Sequence, residues 1–217
     1  MDSRIPRLRR KLARIPYTPN RSHSFGEERH EFRLGPRLPK ARTDAFEAEH
    51  DVELPQPYRD FLTNMGGSGA SPYYGLIPLE DCTLFTMNPG AASTGSRGFS
   101  RAYRPTRDGH LFLHVIERGC SDLVLIGVTG PLTGRMLIGN TDGFWGPNVS
   151  SAPDFLAWYE RWLDHMTAGL DNRALELTSP RLHAHQKSLP SRFEDLTTSD
   201  HSTEAEPEPG LRQHWQR

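Results

Sequence analysis

The chain has only two cysteines in 217 residues, Cys82 and Cys120. A disulfide scaffold needs more of them in a shorter chain, so both are expected to be reduced thiols in a cytoplasmic protein, with Cys82 a packing residue. Long apolar runs are missing as well, since no stretch approaches the roughly 20 residues of a membrane span. The N-terminus is basic but carries no apolar h-region, so no secretory signal is expected. An excess of one charge is also absent: 26 Lys and Arg face 27 Asp and Glu, for a formal net charge of -1. Global charge therefore gives no argument for nucleic acid or an anionic membrane as partner. Hydrophobic residues make up 35% and the mean hydropathy is -0.65. Both are low for a fully compact chain of this length, so part of it is expected to stay unburied.

Signatures of chemistry are equally thin. His110 and His114 stand at i and i+4, a zinc spacing on a helix. The residues between them, Leu111-Phe112-Leu113, read as a strand, where that spacing leaves about 13 Å, too far for one ion. His183 and His185 fall in a polar tail that cannot orient ligands in advance. Cys120 lies near His114 and Asp122 in sequence, but a cysteine nucleophile needs a base within reach, and sequence proximity does not supply one. A turn cysteine beside Gly119 is the simpler reading. Gly66-Gly67-Ser68-Gly69 follows a helix, whereas phosphate cradles precede one and continue into Lys-Ser/Thr. No cofactor, metal or catalytic residue is assigned. A hydrolase or small-molecule enzyme would need a deep pocket with perturbed titratable groups, and no such cluster is visible.

What is present sits in the middle of the chain. Residues 1–24 hold seven Lys and Arg against one acid, Asp2. Pro6, Pro16 and Pro19 interrupt any long helix, so this reads as a flexible basic arm, solvated or touching an acidic partner. Residues 169–217 read as a disordered polar tail. Between them, 25–168 reads as the folded unit. One helix follows Pro39, with Ala41, Ala45 and Phe46 inward. A second starts at Pro55 and lines up Leu54, Tyr58, Phe61, Leu62 and Met65, with Gly66 and Gly67 able to stop it in the left-handed conformation. Strands are expected at 74–79, 111–116, 123–129 and 135–138, the last two joined by a hairpin loop at 130–134. The segment 86–109 reads as a long loop, functional or mobile. A final helix, capped by Ser151, presents Phe155, Trp158, Tyr159, Trp162, Leu163 and Met166 at helical spacing. Helices followed by strands predict an α+β fold with a largely antiparallel sheet.

Four stretches in this order resemble the SMI1/KNR4 family, also called the SUKH superfamily. They are Phe46–His50 with Leu54–Leu62; the glycine run ending in Pro72-Tyr73-Tyr74-Gly75-Leu76-Ile77-Pro78-Leu79; Gly119-Cys120 with Leu123-Val124-Leu125 and Gly134-Arg135; and Phe155–Asp164. The resemblance covers roughly 25–168. It implies a binding domain without catalytic machinery. Bacterial members look like immunity proteins that neutralise toxins, and fungal relatives are regulators of cell-wall synthesis and signalling. Both tails lie outside the family core.

Aromatic residues beside turns are the natural contact candidates, because Trp and Tyr most often carry interface energy. Tyr73, Tyr74, Asp142 and Trp145 are the residues expected to touch a protein partner, a toxin domain in the bacterial reading. Adjacent tyrosines on a strand point opposite ways, so one of Tyr73 and Tyr74 should be free of the core. Arg97, Arg101 and Arg104 could add basic contacts to an acidic toxin surface. The competing expectation is an intracellular scaffold or regulatory module that recruits partners through its tails.

Overall fold

The computed structural model describes residues 1–19, 21, 23–87, 98–102, 110–142 and 148–170. Four helices occur among them: α1 (Ile5–Arg14), α2 (Lys40–His50), α3 (Gln56–Asn64) and α4 (Phe155–Thr167). Six strands form one antiparallel sheet: β1 (Thr83–Met87), β2 (Phe99–Arg101), β3 (Leu111–Glu117), β4 (Asp122–Gly127), β5 (Met136–Asn140) and β6 (Asn148–Val149). Their spatial order is β2-β1-β3-β4-β5-β6. The sheet curls into a half-barrel with helices packed on one face, so the fold is α+β, as the element order predicts.

Alternation along the strands divides the interior in two. Leu113, Val124, Ile126 and Met136 join the helices in one large apolar cluster. Phe85, Phe99, Phe112, Leu123, Leu125, Leu132 and Leu137 form a second cluster on the opposite, concave face. The curl brings β2 toward β5 across that face. A Cβ added at Gly139 would stand 2.3 Å from the Phe99 ring, so glycine leaves the room that Phe99 fills. Phe99 also meets Phe112 edge-on, with centroids 5.3 Å apart.

The helix-side cluster is aromatic because α4 supplies it. Phe155, Trp158, Tyr159, Trp162, Leu163 and Met166 are all buried, on the stripe that periodicity marks. Phe61 meets Phe155 and Tyr159 at 5.0 and 4.7 Å, and the Tyr159 hydroxyl donates to the Ala70 carbonyl at 2.8 Å. The α4 cap is Asp154 rather than Ser151: its carboxylate accepts from the Ala157 backbone N–H at 2.8 Å. The α3 stripe is likewise buried, from Leu54 to Met65. On α2, Phe46 and Thr43 are inward while Ala41 and Ala45 are exposed. Neither Gly66 nor Gly67 uses a left-handed stop. Each instead lets the 34–38 segment approach, since added Cβ atoms would meet Leu34 and Leu38 side-chain carbons at 2.7 Å.

The N-terminal segment differs most from expectation. Residues 5–14 are the helix α1, packed on α4, with Ile5, Leu8, Leu12 and Ile15 at most 8% exposed. Pro6 falls in the first turn, where its missing N–H costs nothing, so it starts the helix rather than breaking it. Three of the segment's cations pair with α4 and its cap: Arg4 with Asp154 at 2.9 Å, Arg7 with Glu160 at 2.7 Å, and Lys11 with Glu160 and Asp164 at 2.7 and 2.5 Å, while Arg9 donates to the Asn64 carbonyl of α3. Burial of such apolar side chains stabilises by roughly 1.5–3 kcal/mol each. Partly exposed ion pairs contribute about 1 kcal/mol or less. The apolar stripe therefore holds α1 down, and the charges set its register on α4.

The strands at 111–116, 123–129 and 135–138 correspond to β3, β4 and β5. Residues 74–79 form no strand, although Leu76 bridges Gly69 on one side and Ile116 on the other. The segment read as the loop 86–109 contains β2 and the end of β1. Positions 169 and 170 close the described chain, so the rest of the expected polar tail lies outside the described residues.

Candidate functional site at the end of the sheet

The turn between β3 and β4 organises one end of the sheet. Gly119 and Cys120 both have positive φ, 92° and 55°, a conformation that glycine adopts freely and cysteine at some cost. The Glu117 carboxylate accepts from the Gly119 N–H at 2.8 Å, and Arg118 pairs with Asp122 at 3.2 Å. On β3, a register shift between His114 and Ile116 leaves Val115 and Ile116 both in the helix-side cluster. The His114 Nε2 reaches the Ile116 carbonyl at 2.9 Å across this bulge. Bulges of this kind re-aim a side chain, here the imidazole.

On the outer side of the turn lie Tyr73 and Tyr74. The Tyr74 N–H donates to the Glu117 carbonyl at 3.1 Å, and the Glu117 N–H to the Gly75 carbonyl at 3.1 Å. A Cβ at Gly119 would stand 3.1 Å from the Tyr74 ring. Tyr73 has φ 59° and is 5% exposed, so it belongs to the core, with the Arg118 guanidinium 5.1 Å from its ring centroid. Tyr74 is half-buried. Phe25 lies 5.0 Å from it, and Arg29 sits 5.1 Å from its ring centroid. Phe25 is 51% exposed. One tyrosine is thus inward and one outward. The cause is a left-handed turn at Tyr73 rather than strand alternation.

Beneath this turn, His30 is buried against Phe32 and Trp162. Its Nδ1 accepts from the Phe32 N–H at 3.0 Å, so it is held neutral on that nitrogen. Burial pushes its pKa below the ordinary histidine value.

The inner side of the turn lines a cleft of about 800 Å³ on the concave face. Phe85, Phe99 and Leu123 form its apolar wall; Asp81, Arg101, His114, Glu117, Cys120 and Asp122 supply polar groups. Burial pushes the His114 pKa down, against the pull of the nearby Glu117 carboxylate. The Nε2–H donated to Ile116 leaves Nδ1 as an acceptor. Cys120, His114 and Asp122, close in sequence, do meet in this cleft. Among the described residues no hydrogen bond joins the Cys120 thiol to His114. No group of three or more His, Cys, Asp or Glu there could hold a metal ion either.

Of the residues singled out from sequence, Tyr73 and Tyr74 pack on the outside of this turn. Arg101 is exposed on β2 and reaches the cleft. Asp142 is exposed, next to Thr141, whose N–H donates to the Ser121 carbonyl at 3.0 Å. These four gather at one end of the sheet. Trp145, Arg97 and Arg104 lie outside the described residues. Phe25, Arg29 and Glu117 were missed. No sequence pattern marks the first two; in the structure Gly26 has φ 85°, and a Cβ there would meet the Tyr73 carbonyl oxygen at 2.3 Å, so glycine lets residues 25–29 press against the tyrosine pair.

The chain matches no family model, no curated protein and no solved structure.

Proposed function

We propose that this chain is a non-catalytic protein-binding domain of the SMI1/KNR4 type, and that it neutralises a toxin domain by covering it. The observation that carries this reading is the patch of Phe25, Tyr74 and Arg29, an exposed aromatic beside a half-buried one and an arginine. Aromatic residues and arginine are the types enriched at interface hot spots. Occlusion of a partner needs a rigid platform, and the patch rests on the backbone contacts that lock residues 73–77 to β3. Neutralisation by binding would take place in the cytoplasm, where the two free thiols are stable. Among the described residues no helix is long and apolar enough to cross a membrane.

The test uses the full chain, because α1 is part of the fold. Tagged protein is recovered from native lysate and its partners are identified by mass spectrometry. One dominant partner with a toxic domain is expected, and it should be lost from the Phe25→Ala/Tyr74→Ala variant while the thermal melt is retained. A spread of housekeeping partners, unaffected by those substitutions, would favour the scaffold reading instead.

A further inference from the structure

We propose that the concave cleft is a binding site for a cationic group, a guanidinium or ammonium on a short apolar stem. Its volume of about 800 Å³ falls in the range of ligand sites, which combine apolar walls with a few placed polar groups. Here the wall is Phe85, Phe99 and Leu123, and three carboxylates, Asp81, Glu117 and Asp122, face one cation, Arg101, among hydroxyls that both donate and accept. Asp81 and Glu117 have no cationic partner among the described residues, whereas Asp122 is paired with Arg118. Glu117 spends one oxygen on the Gly119 N–H and keeps the other. His114 donates its Nε2–H to Ile116, so the nitrogen left over is an acceptor. Two carboxylates and a neutral imidazole acceptor therefore converge on one cavity, and a group rich in N–H donors satisfies all three. The opposing charge is Arg101, exposed on the short edge strand β2.

The cation could come from a polypeptide side chain or from a free small molecule, and two probes separate these sources. The full chain is titrated with n-butylguanidinium and with the peptide acetyl-Gly-Gly-Arg-Gly-Gly-amide, following the backbone amide signals of Gly119, Cys120 and Thr141 by NMR. Saturable shifts are expected with at least one probe. Response to the small cation alone assigns a free ligand; response to the peptide assigns a side chain. Asp81→Asn/Glu117→Gln should weaken binding about tenfold. The amide oxygen introduced by Glu117→Gln can still accept from the Gly119 N–H, so the turn is kept. Arg101→Gln should tighten binding several-fold by removing like charge. Weaker binding in Arg101→Gln, or no saturable shift with either probe, overturns the proposal. Phe25→Ala should leave the titration unchanged, so the cleft and the aromatic patch fail or stand separately.

Discussion

The two faces of the sheet are buried by different means. The helix side is sealed by α1, α3 and α4, which bring whole aromatic and aliphatic side chains from outside the sheet and pack them against one another. The concave side is closed by the sheet's own curl, with Phe99 from one edge reaching Gly139 near the other. Separate elements can adjust their distance until packing is dense. A curl can close only as far as its strand geometry allows, so its end stays open. Polar groups are tolerable at such an opening because water or a ligand can satisfy them. The helix side thus carries the dense packing, and the concave side keeps an open cleft at its end.

The largest test of that division is Trp162→Ala. Trp162 is 1% exposed and packs on Phe32, His30 and Tyr159. Truncation should cost about 3–5 kcal/mol, read as a lower urea midpoint. Next is Leu8→Ala on α1, fully buried, expected to cost about 2–5 kcal/mol. A loss under about 0.5 kcal/mol, the size of an ordinary surface substitution, would mean that α1 is an accessory arm after all.

An apolar stripe runs beneath the basic surface of α1. Ile5, Leu8, Leu12 and Ile15 stand at i, i+3, i+7 and i+10, a helical stripe that was there to be read. Charge density and three prolines outweighed it, although the first proline sits where helices accept one. By contrast, the α3 and α4 stripes were legible because aromatic residues mark them strongly. β1 and β2 were not: β1 offers only the short apolar run Leu84-Phe85, β2 lies in a stretch whose glycines and serines read as loop, and β1 pairs with β3 about thirty residues on. The cleft was hidden for another reason. His114, Glu117, Cys120 and Asp122 are neighbours in the chain, but the bulge and the left-handed turn decide which face each takes.

The concave side makes its own prediction. Gly139→Ala places a methyl against the Phe99 ring and should cost about 1–3 kcal/mol through overpacking. Combining it with Phe99→Leu should recover part of that loss in a double-mutant cycle. Additive losses would mean that the curl is not closed by this contact.

A smaller effect comes from the charges that register α1. The Arg7 guanidinium, with Lys11, holds the Glu160 carboxyl at about 2, below the usual glutamate value. The Arg4 side chain does the same for Asp2, also to about 2. A carboxyl depressed in the folded state contributes stability above its unfolded pKa and loses it as pH falls toward the folded value. The contribution of Glu160 should thus be complete above about pH 5 and fade toward pH 2. Glu160→Gln should flatten the fall in urea midpoint over that window by about 1 kcal/mol, given the screening of partly exposed pairs. Half-molar salt should shrink the difference. Loss of the same size below and above pH 4 would mean that Glu160 acts by packing, not charge.

The smallest expected change in stability is at the thiols, and it sharpens the comparison most directly. Cys82 belongs to the helix-side cluster, and burial pushes its pKa up to about 12. Cys120 is exposed at the cleft. Thiolate, not thiol, reacts, so an aromatic disulfide reagent should titrate one equivalent in native buffer and a second only in urea. Blocking Cys120 with iodoacetamide should leave the urea midpoint within about 0.5 kcal/mol of the unmodified protein. The same adduct should abolish the guanidinium titration, since it occupies the cleft wall. Rapid reaction of both thiols in native buffer would mean that the helix-covered face opens as readily as the curled one, and the division between the two faces would not hold.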